Sequence, residues 1–222
     1  DHGRMDEAEQ YLSYLATDWL IPFANVSFTE APNLGRLAAP DRELTSAWRA
    51  RQVEGGLRIS PLSDLWLTAS LYRIDQENLP SAIVDANGVA TGYFETEGAS
   101  RSQGGELSLA GNITPGWSVY AAYACNTYEN RVTGDSVDRF PPHALTLSTS
   151  YRITRGPLAD CVAGFAYRYR HRYETTFRGS AIGDAFYVAD SHVFDCSLDI
   201  PLRTFGGGEA FTLSLALKNI FN

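Results

Sequence analysis

The sequence predicts an all-β protein, an antiparallel up-and-down transmembrane β-barrel. Three observations support this fold class: long strands with alternating apolar and polar residues, very short Pro/Gly turns, and connections that alternate between short and long. Strands in globular proteins cluster at about 5 to 6 residues, whereas a tilted membrane-spanning strand needs about 9 to 11. The alternation within residues 98–128 continues for about a dozen residues on each side of one turn, which favours the membrane-spanning class.

The central hairpin, residues 98–128, is the clearest element. Leu107 and Leu109 share one face going in, and Trp117 begins an equally regular strand coming out. Between the strands, Pro115 presets its own φ and Gly116 accepts a positive φ, as a type II turn requires. We therefore predict a long hairpin with a type II turn at residues 114–117.

Composition limits the function classes. The chain has 222 residues, of which 44% are hydrophobic and 12% aromatic, enough for one large domain or part of a larger one. A net charge of -8 and a pI near 5.0 argue against a nucleic-acid partner, which would need a basic surface. Cys125, Cys161 and Cys196 lie inside strand patterns without metal-like spacing, so we interpret them as small apolar residues.

About ten strands are expected in all. The first two are joined by a short connection, and the segment 78–99 has a small turn of its own at residues 85–88. The other strand candidates in chain order are 11–16, 22–29, 48–59, 65–77, the two halves of 98–128, 140–153, 160–174, 186–200 and 210–221.

The connections alternate strictly in length. Short ones fall near residues 18, 62, 115, 156 and 204, and long ones near residues 38, 88, 135 and 180. In an up-and-down sheet this order places all short turns at one end and all long loops at the other. Outer-membrane barrels have this asymmetry, whereas a Greek-key sandwich mixes the two kinds.

The aromatic residues indicate which face meets lipid. Alternation alone is equally compatible with a water-soluble barrel that has its apolar face inside. Trp117, Tyr151 and Phe211 lie on apolar faces near the short-turn end, which is typical of an interfacial girdle. Trp66 falls on the polar face and does not fit, and scattered aromatics in a soluble β protein stay the alternative.

Five motifs occur in order along the chain, among them LYRIDQEN at residues 71–78. This segment is similar to the Phe/Tyr-Arg-Ile-Asp-x-Glu-Asn segment of TonB-dependent outer-membrane receptors. Together the five motifs resemble the C-terminal part of the barrel of that family, most closely the siderophore-receptor branch. Gln52 departs from the family's aromatic residue, and the loop 30–46 lacks the usual aromatic-rich character. The remaining matches are the segments 23–28 (FANVSF), 52–58 (QVEGGLR), 102–107 (SQGGEL) and 218–222 (KNIFN).

The resemblance implies a barrel of about 22 strands with a plugged lumen. Residues 1–222 would be a partial barrel domain, with the plug domain, the energy-coupling box and the last strand absent. The implied function is active import of a ferric siderophore across the outer membrane of a Gram-negative bacterium, energised by the TonB complex through the plug. The implied receptor is a monomer in outer-membrane lipid with no cofactor, iron entering only within the siderophore. The identity of the siderophore, or a cobalamin or sugar ligand instead, stays open.

Candidate ligand residues follow from position. Arg168, Arg170 and Arg172 share a face in the strand 160–174 and form a basic ladder toward the long-loop end. Such a ladder can attract an anionic ferric chelate or hold carboxylates of the plug, and we favour the plug role. Near the same end an aromatic vestibule is expected, unless its members only pack on one another, from Tyr93, Phe94, Tyr128, Tyr173 and Phe177.

An enzyme is not expected. His2, His143, His171 and His192 are isolated in sequence, without metal spacing or a nucleophile motif, so we predict neither catalytic nor metal-ligating residues. Two alternatives stay open, a passive porin-like barrel and a soluble β-sheet ligand-binding module. Residues 1–222 alone would expose an apolar surface and unpaired strand edges, so we expect them to aggregate or to require detergent. A monodisperse soluble monomer would contradict the membrane interpretation.

Overall fold

The computed structural model describes residues 6–32, 47–87, 89–134, 136, 140–176, 185–202 and 211–221. No helix of this part of the chain is long and apolar enough to cross a membrane. The strands are β1 (Asp6–Ser13), β2 (Leu20–Ala31), β3 (Trp48–Leu62), β4 (Leu65–Val84), β5 (Ala90–Thr114), β6 (Trp117–Asn130), β7 (His143–Arg152), β8 (Val162–Arg170), β9 (Tyr173–Thr176), β10 (Ala185–Val188), β11 (Ser191–Leu202) and β12 (Phe211–Leu217).

Ten strands form one antiparallel sheet in the order β1-β2-β3-β4-β5-β6-β7-β8-β11-β12. Every strand therefore pairs with its sequence neighbour except where β9 and β10 intervene, and these two form a separate antiparallel pair between β8 and β11. The predicted all-β, up-and-down architecture is confirmed. Within the described residues the sheet is open, because β1 and β12 are its two edges.

The turn of the central hairpin differs from the prediction. Residues 115–116 connect β5 to β6, and Thr114 pairs with Trp117. Gly116, however, is not among the residues with positive φ, so the type II turn that needed one is wrong. The positive φ, 140°, lies instead at Gly111, next to a register shift between Asn112 and Thr114. The bulge before the turn thus has the positive φ that was predicted for the turn itself.

The connection near residue 88 is also built differently. Instead of ending at the sheet margin, β4 and β5 continue as a paired arm with three register shifts between Gln76 and Val84. A tight turn closes the arm, because the Asp85 carboxylate accepts hydrogen bonds from the backbone N–H groups of Asn87 (2.8 Å) and Val89 (2.9 Å). These bonds stabilise the ionised carboxylate, and the bond from Val89 has the largest effect. They therefore hold the pKa of Asp85 below its ordinary value.

At the same end, the strand predicted over residues 160–174 stops at Arg170. The chain bends at residues 171–172 and continues as β9, which pairs with β10 from Tyr173 opposite Val188 to Thr176 opposite Ala185. The strand predicted over residues 186–200 is likewise divided into β10 and β11. The long connection near residue 180 thus contains a small hairpin, and its residues 177–184 lie outside the described part.

The register separates two faces, which we call the apolar face and the polar face. Directly paired residues share a face, so each row of partners across the sheet can be followed from strand to strand. One apolar row is Leu20, Ile59, Leu67, Leu109, Ala121, Leu147, Tyr167 and Phe194. The adjacent polar row is Ile21, Arg58, Thr68, Ser108, Ala122, Thr146, Arg168 and Val193.

The sheet encloses almost no core. Among the described residues only Ala31, Leu65 and Cys161 are buried hydrophobic side chains, while large apolar side chains are exposed on the apolar face. All three cysteines are free thiols. A single layer of strands cannot bury either face by itself, so both faces need a covering medium or partner.

Aromatic residues mark the short-turn end of the apolar face. Trp117 pairs directly with Tyr151, and its indole Nε1 donates a hydrogen bond to Thr149 Oγ1 at 2.8 Å. Trp66, by contrast, shares the polar face with Tyr120, since both flank Ala110 in the register. The face assignments of these residues in the sequence were therefore correct.

Two adjacent glycines, Gly55 and Gly56, differ in how closely neighbouring atoms approach them. A Cβ on Gly56 would meet the carbonyl oxygen of Ala69 and two ring carbons of Phe23 at 2.7 and 2.9 Å, whereas a Cβ on Gly55 would meet only the Phe23 carbonyl at 3.9 Å. We expect Gly56→Ala to lower the free energy of unfolding by about 1 to 3 kcal/mol, because the methyl group overpacks the sheet.

Urea unfolding of the protein in detergent measures this difference. Gly55→Ala is the matched control, and its free energy of unfolding should change by less than about 0.5 kcal/mol. Equal stability of the two variants would contradict the close packing of Phe23 over Gly56.

Candidate functional site

The polar face carries a row of hydrogen-bonding side chains across β2 to β6. Asn25, Glu54, Tyr72, Gly104 and Asn126 are successive partners in the register. Gly104 leaves room for the Tyr72 ring, since a Cβ there would lie 2.9 Å from the tyrosine oxygen. The row therefore presents a carboxylate, a phenol and two amides side by side, which suits a polar partner lying against this face.

Side-chain hydrogen bonds fix the neighbours of this row. Asn25 Nδ2 donates to Glu9 Oε1 at 2.9 Å, and Ser102 Oγ donates to Asn126 Oδ1 at 2.9 Å. Within the described part of the chain, Asn25 Oδ1 is enclosed yet accepts no hydrogen bond. Enclosed polar atoms normally have a partner, so this oxygen is available to a donor outside these residues.

An ion pair joins β8 to β11 on the polar face. Arg168 Nη2 donates to Asp195 Oδ2 at 2.8 Å, and the other carboxylate oxygen accepts a 2.9 Å hydrogen bond from the backbone N–H of Asn219. Asp195 thereby ties together β8, β11 and the segment after β12. The predicted ladder begins with an arginine whose charge is already neutralised.

Arg170 is different. The register places it on the polar face between Ala144 and Ser191, one step nearer the long-connection end than Arg168. Its guanidinium has no ion-pair partner among the residues that the structure describes. This cation is thus available for a carboxylate or another anion.

The third arginine does not continue the ladder. Arg172 lies in the bend after β8, and its backbone N–H donates to Asp190 Oδ1. Tyr173 follows as the first residue of β9, opposite Val188. Phe177 lies outside the described residues. Only two of the three arginines therefore share the strand face, because β8 ends at Arg170, four residues before the predicted end at residue 174.

The remaining predicted residues lie on other strands of the same end. Tyr93 and Phe94 belong to the β4–β5 arm, where Phe94 pairs with Ala82. Tyr128 lies near the end of β6, opposite Ser102 and on the polar face. The candidate vestibule residues thus come from three places along the sheet, namely β5, β6 and β9 with the bend before it.

Three tyrosine–histidine pairs on the apolar face escaped the sequence analysis, and the interpretation of these histidines as isolated is wrong. Cross-strand pairing brings His143 near Tyr123 and His192 near Tyr167, which sequence spacing alone does not reveal. His171 instead lies two residues after Tyr169 in the chain. The hydroxyl-to-Nδ1 distances are 2.8 Å for Tyr123 and His143, 2.9 Å for Tyr169 and His171, and 2.9 Å for Tyr167 and His192. Rings with an apolar body and a polar tip suit a boundary between lipid and water.

No metal centre emerges from this arrangement. In the part of the chain that is described, no group of three or more His, Cys, Asp or Glu side chains is placed to hold a metal ion. The side chains of the polar face offer hydrogen bonds and charge, and those at the long-connection end offer aromatic contact.

Residues 11–220 match the family model described as "TonB dependent receptor-like, beta-barrel". The catecholate siderophore receptor Fiu of Escherichia coli K12 is 33% identical over 155 residues, which cover 64% of this chain and 19% of Fiu. The chain therefore spans about a fifth of the length of this curated relative.

Solved structures agree in fold. The closed form of the ferric-catecholate import receptor Fiu superposes with a TM-score of 0.73 at 25% identity, over 96% of this chain and 30% of that one. The ferripyoverdine receptor of the outer membrane of Pseudomonas aeruginosa superposes with a TM-score of 0.79 at 17% identity, over 96% of this chain and 28% of that one.

The contacts of Asp195 lead to a stability prediction. Asp195→Ala removes both the ion pair with Arg168 and the hydrogen bond from Asn219, so we expect the free energy of unfolding to fall by about 1 to 2 kcal/mol. Arg168→Gln removes only the half-exposed ion pair and should cost less than about 1 kcal/mol. Urea unfolding in detergent compares the two variants, and an equal loss would show that the Asn219 contact contributes nothing.

Proposed function

Because the chain belongs to the TonB-dependent receptor β-barrel family, we propose that it forms part of the barrel wall of a receptor that imports a ferric siderophore with energy from TonB. Receptors of this family are Gram-negative outer-membrane proteins, and the chain is accordingly an outer-membrane β-barrel protein. Its apolar face meets lipid and its polar face lines the lumen, as the alternation of this family requires.

The observation that carries the proposal is the family match over residues 11–220 together with the similarity to Fiu, a catecholate siderophore receptor. The family consists of transport receptors, and no bond chemistry is assigned to the barrel. Iron enters the mechanism only as the centre of the bound siderophore, and TonB acts through the plug domain of the full-length receptor. A soluble binding module is incompatible with this family, and a passive porin lacks the TonB coupling.

The polar face supports contact with a plug domain. It presents the uncompensated cation of Arg170 and the carboxylates of Glu54 and Glu106. A plug filling the lumen would cover these groups and supply their partners. We assign Arg168 and Arg170 to this role, with Arg168 acting through its pair with Asp195.

Ligand contact belongs to the long-connection end. Tyr93, Phe94, Tyr128, Arg172 and Tyr173 lie there, and Phe177 follows in sequence outside the described residues. Aromatic rings and a guanidinium are suited to the planar, anionic donor groups of a ferric chelate. These residues would line the vestibule that the siderophore enters first.

Uptake by living cells tests the proposal. A strain lacking the full-length receptor should take up less ⁵⁵Fe bound to its siderophore under iron limitation, and the intact gene should restore uptake only when TonB is present. A panel of catecholate, hydroxamate and mixed siderophores identifies the ligand class. Restoration of uptake in a TonB-deficient strain would instead support a passive pore.

The role of Arg170 can be separated from ligand binding. We expect Arg170→Gln to leave siderophore affinity within about twofold but to lower uptake severalfold, because the plug loses a charged hydrogen bond to the wall. Arg155→Gln, in the exposed connection between β7 and β8, is the matched control and should leave both unchanged. A large loss of affinity in Arg170→Gln would move this residue into the ligand site.

A further inference from the structure

A cluster of arginines lies on the apolar face, on the side that meets lipid. In the register, Arg51, Asp75, Arg101 and Glu129 are successive partners on β3 to β6. Their row shares a face with the exposed leucine Leu71, two register steps away. We call Arg51, Arg73, Arg101 and Arg131, which surround Asp75, the outward arginine cluster.

The position of the cluster matches the depth of lipid headgroups. On β6 the apolar side chains run from Trp117 to Cys125, about nine residues, which is the length of a tilted membrane-spanning strand. Arg73 lies one same-face step beyond the row of Cys125, and Arg101 lies two steps beyond it. At about 3.4 Å per residue, these steps are about 7 and 14 Å along the strands. The charges therefore begin directly where the apolar surface ends, at the long-connection end.

The cluster has more positive than negative charge. A single carboxylate, that of Asp75, faces Arg73 Nε at 2.7 Å, Arg101 Nε at 2.7 Å and Arg131 Nη1 at 3.9 Å. Arg51 has no ion pair among the described residues, and its guanidinium lies 5.6 Å from the Phe28 ring centroid. Arg49 of the neighbouring row is matched by Glu30, with which it forms an ion pair, and by Glu77 opposite it. With these three residues and Glu129 opposite Arg101, five guanidinium groups meet four carboxylates here.

The surface around the cluster has the shape that an amphiphile needs. A concave region of about 450 Å³ is lined by one aromatic and six charged side chains, among others, namely Phe28, Glu30, Arg49, Arg51, Asp75, Glu77 and Arg131. A second region, of about 710 Å³, shares Arg51 and Asp75 with the first and extends toward the membrane past Val53, Gly55 and Leu71. Small residues form this groove, since Leu71 has glycines, Gly55 and Gly105, as both of its cross-strand partners.

We propose that the outward arginine cluster binds the phosphate groups of an outer-leaflet glycolipid, the lipid A part of lipopolysaccharide, and that the adjoining groove takes one of its acyl chains. Guanidinium groups pair with phosphate through two parallel N–H···O bonds, which makes arginine better suited to this ligand than lysine. A soluble anion would not fill the apolar groove, and a neutral lipid would not pair with the arginine cluster. The proposal depends on the outer-membrane location of the family and is independent of which siderophore is imported.

Native mass spectrometry of the full-length receptor in detergent tests the proposal directly. The probes are hexa-acylated diphosphoryl lipid A, the same lipid without its phosphates, and inorganic phosphate. The wild-type receptor should bind diphosphoryl lipid A at least about tenfold more tightly than the dephosphorylated lipid, with an affinity that falls as salt is raised. Equal affinity for both lipids, or binding of inorganic phosphate as tight as that of lipid A, would overturn it.

Two variants localise the site. Arg51→Gln breaks no ion pair among the described residues, and Arg51→Gln/Arg73→Gln still leaves Asp75 paired with Arg101. We expect the double variant to bind diphosphoryl lipid A about tenfold more weakly than wild type, and the single variant to be intermediate. Arg152→Gln/Arg155→Gln removes the same charge near the short-turn end and should bind like wild type.

Folding is checked by the heat-dependent shift of each variant on a denaturing gel. Should the double variant not fold, Arg51→Gln alone decides the outcome, because its side chain contributes only the contact with Phe28. Wild-type affinity in folded Arg51→Gln and in the folded double variant, or an equal loss in Arg152→Gln/Arg155→Gln, would place the lipid elsewhere and refute the site.

Discussion

Hydrogen bonding between neighbouring strands is the constraint on which this structure depends. In the hydrocarbon layer no water is available to backbone N–H and C=O groups, so each strand must pair with both of its neighbours. The register that achieves this from β1 to β12 also decides which side chains face lipid and which face the lumen, because a slip of one residue would invert every strand. Since the sheet buries so few side chains, its stability depends on the media that cover its two faces.

Features with a period of two residues could be predicted from the sequence. The ten-stranded meander, the two-residue connection at 115–116, and the face shared by Trp117 and Tyr151 all follow from alternation and turn chemistry. These properties are local, so they appear within a dozen residues of sequence. The aromatic residues Trp117, Tyr151 and Phe211 added what alternation could not, namely which of the two faces meets lipid.

Features that depend on a neighbouring strand could not be predicted. The arm of β4 and β5 beyond Gln76 has irregular register, and its strands persist because they pair with each other, not because they alternate. The bulge at Gly111 forms where β5 closely approaches Asp64, whose carbonyl accepts a 2.7 Å hydrogen bond from the backbone N–H of Asn112. Two of the three tyrosine–histidine pairs likewise follow from cross-strand geometry, as does the early end of β8. The candidate vestibule residues that the structure describes lie on separate strands.

The role of an arginine in this sheet depends on the face on which it lies and on its position along the strand. Arg168 and Arg170 follow the polar alternation of β8, so the sequence suggested a lumen role at once. Arg51, Arg73 and Arg101 lie at positions that the alternation assigns to the apolar face, where a charged residue breaks the pattern. The length of the apolar stretch explains these charges, because the three arginines lie just beyond its edge. A break in alternation at that height marks the membrane boundary, and excess positive charge there indicates an anionic lipid headgroup more directly than it indicates a soluble ligand.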